Sequence, residues 1–211
     1  MSKVTETAQS YWDSRSELFA NYYQKPSLFD RIFRKGVYGR VAVAIKACRD
    51  IPNAKVLDIG SGPGINSISL IKNSNASYVI GIDFSDQMIS FASNLVKAEG
   101  VSDKINFILG DAMTYDFGKE KFDFSIALGV FDYTQDAEKL IKRMSELTTN
   151  SFVISWPENG LRMQMRRYRY TCPVYHYSLE QIKKLHLSAG INEENLELVR
   201  LAGGWATIAK K

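Results

Sequence analysis

The chain has 211 residues, of which 45% are hydrophobic and 24% are charged, and its formal net charge is +4. This length and balance are typical of a globular protein with a sizeable core. They exclude a small disulfide-stapled scaffold, a coiled coil and a disordered tail. Basic and acidic residues alternate along most of the chain, so we expect no nucleic-acid partner.

The sequence carries no signal for a membrane or for an oxidising compartment. No run approaches the ~18 consecutive apolar residues of a membrane helix, and the first residues lack the apolar core of a signal peptide. Cys48 and Cys172 lie far apart and outside any CxxC pattern, which argues against a zinc site or a disulfide framework. We therefore expect a cytoplasmic protein.

Residues 1–50 are predicted to form a helical unit. Apolar and aromatic residues recur at helical spacing up to Pro26, and a second helix runs to about Asp50, bent or interrupted at Gly36 and Gly39. We expect this unit to be a lid over a ligand site; the alternative is that it only covers one sheet face or forms a dimer contact. The aromatic side chains expected to face inward are Tyr11, Trp12, Tyr22 and Tyr23.

Strands and helices alternate over residues 51–211, which we assign to a second unit. The predicted strands are Ala54–Asp58, Tyr78–Asp83, Ile105–Leu109, Phe122–Leu128 and Ser151–Trp156. The first predicted helix follows the turn after the first strand and ends near Ser74. The later helices span Asp86–Glu99, Gln135–Leu147 and Ser178–Ala189, with Ser85 and Ser178 as the caps of the first and last of these three. Apolar strands separated by helices indicate a parallel sheet covered on both faces.

The final segment is predicted to be a hairpin. Leu196–Leu201 and Trp205–Ala209 have strand patterns and are joined at Gly203-Gly204. A hairpin at this point makes the last strand antiparallel. The expected fold is therefore α/β, a three-layer Rossmann-like arrangement with a seven-stranded, mostly parallel sheet.

An acid stands at or just beyond each of the first three predicted strand ends: Asp58, Asp83 and Asp111. Ligands of open parallel sheets bind at these carboxyl ends, near the switch in strand order. The turn Gly60–Gly64 lets a ligand approach the backbone closely. Asp83 follows Gly64 at about the 20-residue distance of a ribose-binding carboxylate.

Two nucleoside cofactors fit this pattern. A dinucleotide site requires G-x-G-x-x-G, but the sixth position counted from Gly60 is Ile65. Pro63 also removes an amide that could bind pyrophosphate. The turn therefore suits a ligand without phosphates better, and an NAD-dependent oxidoreductase is kept as an alternative.

Three motifs in order resemble those of the class I S-adenosylmethionine (SAM) dependent methyltransferases. They are Val56–Gly64 (VLDIGSGPG), Gly81–Ser85 with Met88, and Gly110–Ala112, and the resemblance covers about residues 50–210. It implies SAM as cofactor and methyl transfer as activity. The implied cofactor-binding residues are Asp58, Gly60, Ser61, Gly62, Gly64, Asp83, Phe84, Ser85, Met88, Asp111, Ala112, Leu128 and Gly129.

The resemblance also implies what these residues contact. Asp58 and the Gly60–Gly64 turn would lie under the methionine part of SAM, and Asp83 would accept both ribose hydroxyls. The adenine pocket would be lined by Phe84 and Met88, with Asp111 accepting from the adenine amino group and the Ala112 amide donating to the ring. Leu128 and Gly129 would lie near the sulfonium.

Candidates on the acceptor side come from the segments after the fourth and fifth strands. Asp132 is a possible general base, with a helix N-terminal role as the alternative. Tyr175 and His176 could reach the mouth of the site, whereas His186 is expected to be an ordinary packed or surface histidine. Asp132, Glu158 and Asn159 are the only thinkable metal ligands, and we expect no metal.

An arginine-rich stretch lies between these segments. Arg162, Arg166 and Arg169 share one predicted helical face, next to Met163, Arg167 and Tyr170. Arginine binds carboxylate or phosphate bidentately, so this stretch could hold an anionic or lipid-linked acceptor. The alternative is a solvated basic face.

The part after the fourth strand is also similar to the magnesium-protoporphyrin methyltransferase branch, which methylates a carboxylate. That branch commonly carries His where this sequence has Asp132, which puts porphyrin specificity in doubt. We expect methyl transfer to an oxygen of a small, anionic or lipid-linked acceptor. A SAM-binding, non-catalytic partner or regulator of another enzyme is the alternative; peripheral membrane contact and homo-oligomerisation stay open.

Overall fold

The computed structural model describes residues 10–12, 35–158 and 172–211. Residues 10–12 are helical. The longer helices are α1 Lys35–Arg49, α2 Ile65–Asn73, α3 Asp86–Ala98, α4 Ala137–Leu147 and α5 Leu179–Ser188, with a short 3₁₀ turn at Glu193–Asn195. The strands are β1 Ala54–Ile59, β2 Ala76–Asp83, β3 Ile105–Leu109, β4 Phe122–Ala127, β5 Thr148–Pro157, β6 Leu196–Leu201 and β7 Gly204–Lys210.

The seven strands form one sheet in the order β3-β2-β1-β4-β5-β7-β6. The pairs among β1 to β5 are parallel, and β7 is antiparallel to both β5 and β6. The predicted α/β fold with its antiparallel last strand is therefore confirmed. The strand order reverses at β1, between β2 and β4, and this switch opens a crevice at the carboxyl edge where ligands of such sheets bind.

The core consists of two clusters, one on each face of the sheet. Neighbouring residues of β1 point to opposite faces, so Val56 belongs to one cluster and Leu57 to the other. Helices α1, α2 and α3 contribute apolar residues to the Val56 cluster, and α4 and α5 contribute to the Leu57 cluster. The sheet is thus covered on both faces, as the continuous apolar strands predict.

The helix at the end of the first unit is continuous in its described part. Helix α1 runs from Lys35 to Arg49, so it is not interrupted at Gly39. A Cβ at Gly39 would stand 3.4 Å from Leu201 Cδ2, an ordinary van der Waals distance, so α1 lies against β6 at this position.

The described part of the first unit also contacts the loop after β4. The Tyr11 side chain is 5% exposed, and the Trp12 ring meets the Tyr133 ring edge-to-face at 5.4 Å between centroids. Tyr22 and Tyr23 lie outside the described residues. Within the parts of the chain that the structure describes, no helix is long and apolar enough to cross a membrane.

Candidate active site

Asp83 joins the glycine-rich turn to the start of α3. Its Oδ2 accepts a hydrogen bond from the Gly62 amide at 2.8 Å, and its Oδ1 accepts one from the Ser85 amide at 2.9 Å. The side chain is 8% exposed. An ionised carboxylate is an acceptor group, so a side chain oriented in this way has the chemistry to bind hydroxyls such as those of a sugar.

The glycine-rich turn lies directly against the ends of β2 and β4. The amides of Gly60 and Ser61 both donate to the Ile82 carbonyl, at 2.8 and 3.1 Å. A Cβ at Gly60 would stand 2.5 Å from Val130 Cγ2, so only glycine fits there. At Gly62, in contrast, a Cβ would meet no atom of the described residues within 4 Å.

Asp58 lies beneath this turn and is fully buried. The Ser67 hydroxyl donates to Asp58 Oδ2 at 2.6 Å and ties β1 to α2. Burial raises the pKa of Asp58 to about 7, the Asp83 charge adds to the rise, and the bond from Ser67 opposes it. The arrangement gives Asp58 a positioning role under the turn.

Two buried polar atoms near the turn indicate whether the site suits a polar ligand. Asp58 Oδ1 and Ser61 Oγ are buried and have no hydrogen-bond partner among the described residues. Buried polar atoms of this kind are uncommon and often mark a ligand or functional site. These two atoms fit the polar amino-acid part of SAM.

Asp111, the last of the three acids at the strand ends, lies beside Asp83. The Gly110 amide donates to the Asp83 carbonyl at 2.8 Å, which joins the ends of β2 and β3. Asp111 Oδ1 accepts from the Met113 amide at 2.9 Å. Ala112 and Met88 are buried and Phe84 is half-buried. Ser85 accepts from the Met88 amide at 3.3 Å, so its side chain caps α3 as predicted.

The end of β4 forms the opposite wall. The Leu128 side chain is 6% exposed, and the Gly129 amide donates to Ser155 Oγ at 2.8 Å. The Gly60–Val130 approach described above puts this wall against the glycine-rich turn. The sequence-predicted cofactor residues therefore lie along the carboxyl edge of neighbouring strands β1 to β4.

Asp132 and Tyr175 come together although they are far apart in sequence. The Tyr175 amide donates to the Asp132 carbonyl at 2.8 Å, and the Tyr177 hydroxyl donates to the Thr134 carbonyl at 3.2 Å. The Asp132 side chain is 4% exposed. Burial raises the pKa of Tyr177, and nearby Tyr175 and Asp132 add to the rise. His176 lies within the same segment and is half-buried.

His186 is a packed core residue. Its Nδ1 lies 2.8 Å from the Ile182 carbonyl and its Nε2 lies 3.2 Å from Thr207 Oγ1. The Trp156 indole donates to the same Thr207 oxygen at 2.9 Å. Burial lowers the pKa of His186 to about 4, which keeps the imidazole neutral.

Arg40 is a residue of the site that local sequence patterns do not single out. A Cβ at Gly129 would stand 2.7 Å from Arg40 Nη1, so the guanidinium of α1 reaches the wall of the site. The available signal is an arginine set among apolar positions in the sequence VYGRVAVAI. Arg162, Arg166, Arg167, Arg169, Met163, Tyr170 and Asn159 lie outside the described residues.

Among residues 10–12, 35–158 and 172–211, no group of three or more His, Cys, Asp or Glu residues is arranged to hold a metal ion. Cys48 and Cys172 are both buried free thiols. Burial raises the pKa of each thiol.

Comparisons with known proteins agree with this site. The family model described as methyltransferase domain matches residues 56–151. The chain is 33% identical over 88 residues to a protein-lysine N-methyltransferase of Saccharomyces cerevisiae, covering 42% of this chain and 38% of that protein. It is 28% identical over 145 residues to a carboxy-S-adenosyl-L-methionine synthase of Nautilia profundicola, covering 69% of this chain and 61% of that protein. The chain thus spans less than two thirds of the length of either relative.

A solved structure extends the similarity to the whole chain. The magnesium protoporphyrin IX methyltransferase from Synechocystis PCC 6803 with bound SAH superposes with a TM-score of 0.79 at 18% sequence identity, covering 99% of this chain and 100% of that chain. At this identity the likeness concerns the fold. Residues 56–151 thus match a methyltransferase domain, and the sheet order and the three acids at the carboxyl edge agree with the resemblance of the chain to the class I SAM-dependent methyltransferases.

Proposed function

We propose that this protein binds SAM and transfers its methyl group to an oxygen of a small anionic or lipid-linked acceptor. The observation that carries the cofactor part is Asp83, which the Gly62 and Ser85 amides orient at the switch point of the sheet. The family match supports methyl transfer as the reaction. The residues on the acceptor side support oxygen as the atom that receives the methyl group.

The cofactor residues have separate tasks in this proposal. Asp83 accepts the ribose hydroxyls, Met88 and Phe84 line the adenine pocket, and Asp111 orients the adenine amino group. The glycine-rich turn lies under the methionine part, with Asp58 supporting it from below. When bound, SAM supplies an activated methyl group on a sulfonium, so the chain must mainly align the acceptor and exclude water.

The acceptor side has one carboxylate suited to proton transfer. Asp132 is almost fully buried and is next to Tyr175, with His176 beside it. As the methyl group moves to a hydroxyl oxygen, the hydroxyl proton would pass to the Asp132 carboxylate. A carboxylate acceptor needs no base, and Asp132 would then only orient it. The spacing of Arg162, Arg166 and Arg169 in sequence supports an anionic acceptor.

Replacement of Asp83 tests the cofactor assignment. We expect wild-type protein to bind S-adenosylhomocysteine (SAH) with micromolar affinity and not NAD, and Asp83→Ala to weaken SAH binding at least about 10-fold by removing charged hydrogen bonds. Isothermal titration calorimetry measures both. Asp86→Ala, an exposed acid on the first turn of α3, is the matched control and keeps wild-type affinity. NAD binding without SAH binding would overturn the proposal.

Replacement of Asp132 tests the acceptor chemistry. With methyl-labelled SAM and panels of hydroxyl, carboxylate, amine and carbon acceptors, we expect label to enter oxygen. For a hydroxyl acceptor, Asp132→Asn should lower kcat about 100-fold or more because the base is lost. Asp136→Asn, which alters an exposed residue paired with Lys139, is the control. Label entering only nitrogen or carbon would contradict the oxygen assignment, and SAH binding without any transfer would favour a non-catalytic partner.

A further inference from the structure

Arg143 of α4 contacts the loop that follows β3. Its Nη2 donates a hydrogen bond to the Tyr115 carbonyl at 2.7 Å, and its Cζ lies 5.8 Å from the centroid of the Phe117 ring. The Arg143 side chain is 26% exposed, whereas the carboxylate with which it pairs at 3.9 Å, that of Glu146, is 68% exposed and screened by solvent. Within the described part of the chain, the bond to the loop is therefore the shortest polar contact of the guanidinium.

Tyr115 ends the turn that carries Asp111. The amides of Thr114 and Tyr115 both donate to the Asp111 carbonyl, at 3.0 and 2.8 Å. The Met113 amide donates to Asp111 Oδ1 at 2.9 Å. Residues 111–115 are thus one hydrogen-bonded unit. Because Arg143 binds the carbonyl at the far end of this unit, a shift of that carbonyl would move Asp111 as well.

The other end of this turn is attached to the sheet. The Gly110 amide donates to the Asp83 carbonyl at 2.8 Å. A Cβ at Gly110 would stand 3.1 Å from Tyr115 Cδ2, so the tyrosine ring packs on the residue before the turn. The two residues that flank Tyr115 are exposed. The turn is therefore held between the end of β3 on one side and Arg143 of α4 on the other.

We propose that Arg143 is a positioning residue for the adenine end of SAM and SAH. By holding the Tyr115 carbonyl, it fixes the Asp111 carboxylate and the Ala112 amide relative to Asp83. The inference rests on the proposed function, which assigns adenine to the turn and ribose to Asp83. A charged donor suits this task, because its hydrogen bonds are about twice as strong as those between neutral groups.

The experiment compares two ligands that differ at the adenine ring. SAH carries the amino group, whereas its purine analogue has a hydrogen atom in that position and offers Asp111 no donor. Titration calorimetry is done on wild type, Arg143→Met, Arg143→Lys and Lys142→Met, the last altering an exposed residue of α4 that pairs with Glu138. We expect Arg143→Met to weaken binding of SAH about 10-fold and of the purine analogue less than about threefold. Arg143→Lys, which keeps a donor for the Tyr115 carbonyl, should fall between, and Lys142→Met should match wild type.

A second comparison tests whether Arg143 acts through Asp111. In the Asp111→Ala background, Arg143→Met should weaken SAH binding by less than about threefold, because the carboxylate that it positions is gone. A loss of about 10-fold in that background, as large as in the wild-type background, would overturn the proposal.

Two further results would overturn it. One is an SAH affinity of Arg143→Met within about twofold of wild type; the other is an equal loss for both ligands, which a general effect on the fold would give. Thermal unfolding shows whether Arg143→Met is folded at the titration temperature, and if it is not, Arg143→Lys carries the same comparison. Failure of the proposed function is seen separately, because wild-type protein would then bind neither ligand.

Discussion

At the scale of single residues, Asp58 and His186 show how burial decides the charge state. Burial raises the pKa of Asp58 to about 7 and lowers that of His186 to about 4, so it favours the neutral form in both cases. Their effects on stability therefore run in opposite directions with pH. Stability due to Asp58 is lost as the pH rises from about 4 to 7, and stability due to His186 is lost as the pH falls from about 6.5 to 4.

Replacement of His186 isolates its contribution to the pH dependence of stability. In the folded state the imidazole stays neutral, whereas the unfolded chain takes up a proton below its ordinary pKa of 6.5. The wild-type advantage in unfolding free energy over His186→Gln should therefore fall by about 2 kcal/mol between pH 7.5 and pH 5. Urea unfolding at the two pH values measures it. An advantage independent of pH would show that His186 does not titrate as the buried geometry requires.

At the scale of elements, side-chain hydrogen bonds in the first turn of α5 fix where this helix begins. Ser178 accepts a hydrogen bond from the Gln181 amide, and the Gln181 side chain accepts one from the Ser178 amide, which together form a capping box. This turn fixes the register in which Ile182 and His186 enter the core. The cap thereby supports both the sheet face and the segment that carries Tyr175 and Tyr177.

Removal of this cap has a measurable cost. We expect Ser178→Ala to lower the unfolding free energy by about 1 kcal/mol, since one amide at the helix start loses its acceptor. Ser188→Ala, at the exposed end of the same helix, is the control and should change it by less than about 0.5 kcal/mol. Equal effects of the two substitutions in urea unfolding would contradict the role of the capping box.

Some boundaries of helices and strands can be predicted from local sequence patterns, and others cannot. Ser178 and Ser85 are cap residues that were recognised from their position, and the structure confirms both. β5 begins at Thr148, three residues before the predicted start at Ser151, because β4 supplies pairing partners. The Thr148 hydroxyl also bonds with the buried Ser125 hydroxyl at 2.6 Å. Polar strand ends of this kind depend on the neighbouring strand and leave no local apolar signal.

The candidate site also contains some residues that local sequence patterns predict and others that they do not. The acids Asp58, Asp83 and Asp111 follow apolar strands, so their common edge could be predicted from local patterns. Arg40 could not, because its approach to Gly129 depends on how α1 packs against the sheet. The packing at Gly39 depends on tertiary structure in the same way, since its neighbour Leu201 belongs to a distant strand.

At the scale of the whole molecule, the strand order predicts how stability is distributed. β2, β1, β4, β5 and β7 are paired on both sides, whereas β3 and β6 are the edges of the sheet. We expect amide hydrogens of the five inner strands to exchange slowest, and those of β3 and β6 to exchange faster by local opening. Hydrogen exchange followed by mass spectrometry measures this. Exchange of β7 as fast as that of β6 would contradict its inner position.

The place of β7 also has a consequence during protein synthesis. β7 follows β6 in the chain but lies between β5 and β6 in the sheet. A ribosome adds about 5–20 residues per second, and β1 to β5 can pair as they emerge. The free side of β5 is covered only after residue Lys210 has left the exit tunnel, and Thr207 can join Trp156 to His186 only then. Until that moment the nascent chain presents an open strand edge, the feature through which unfinished proteins aggregate and which chaperones shield.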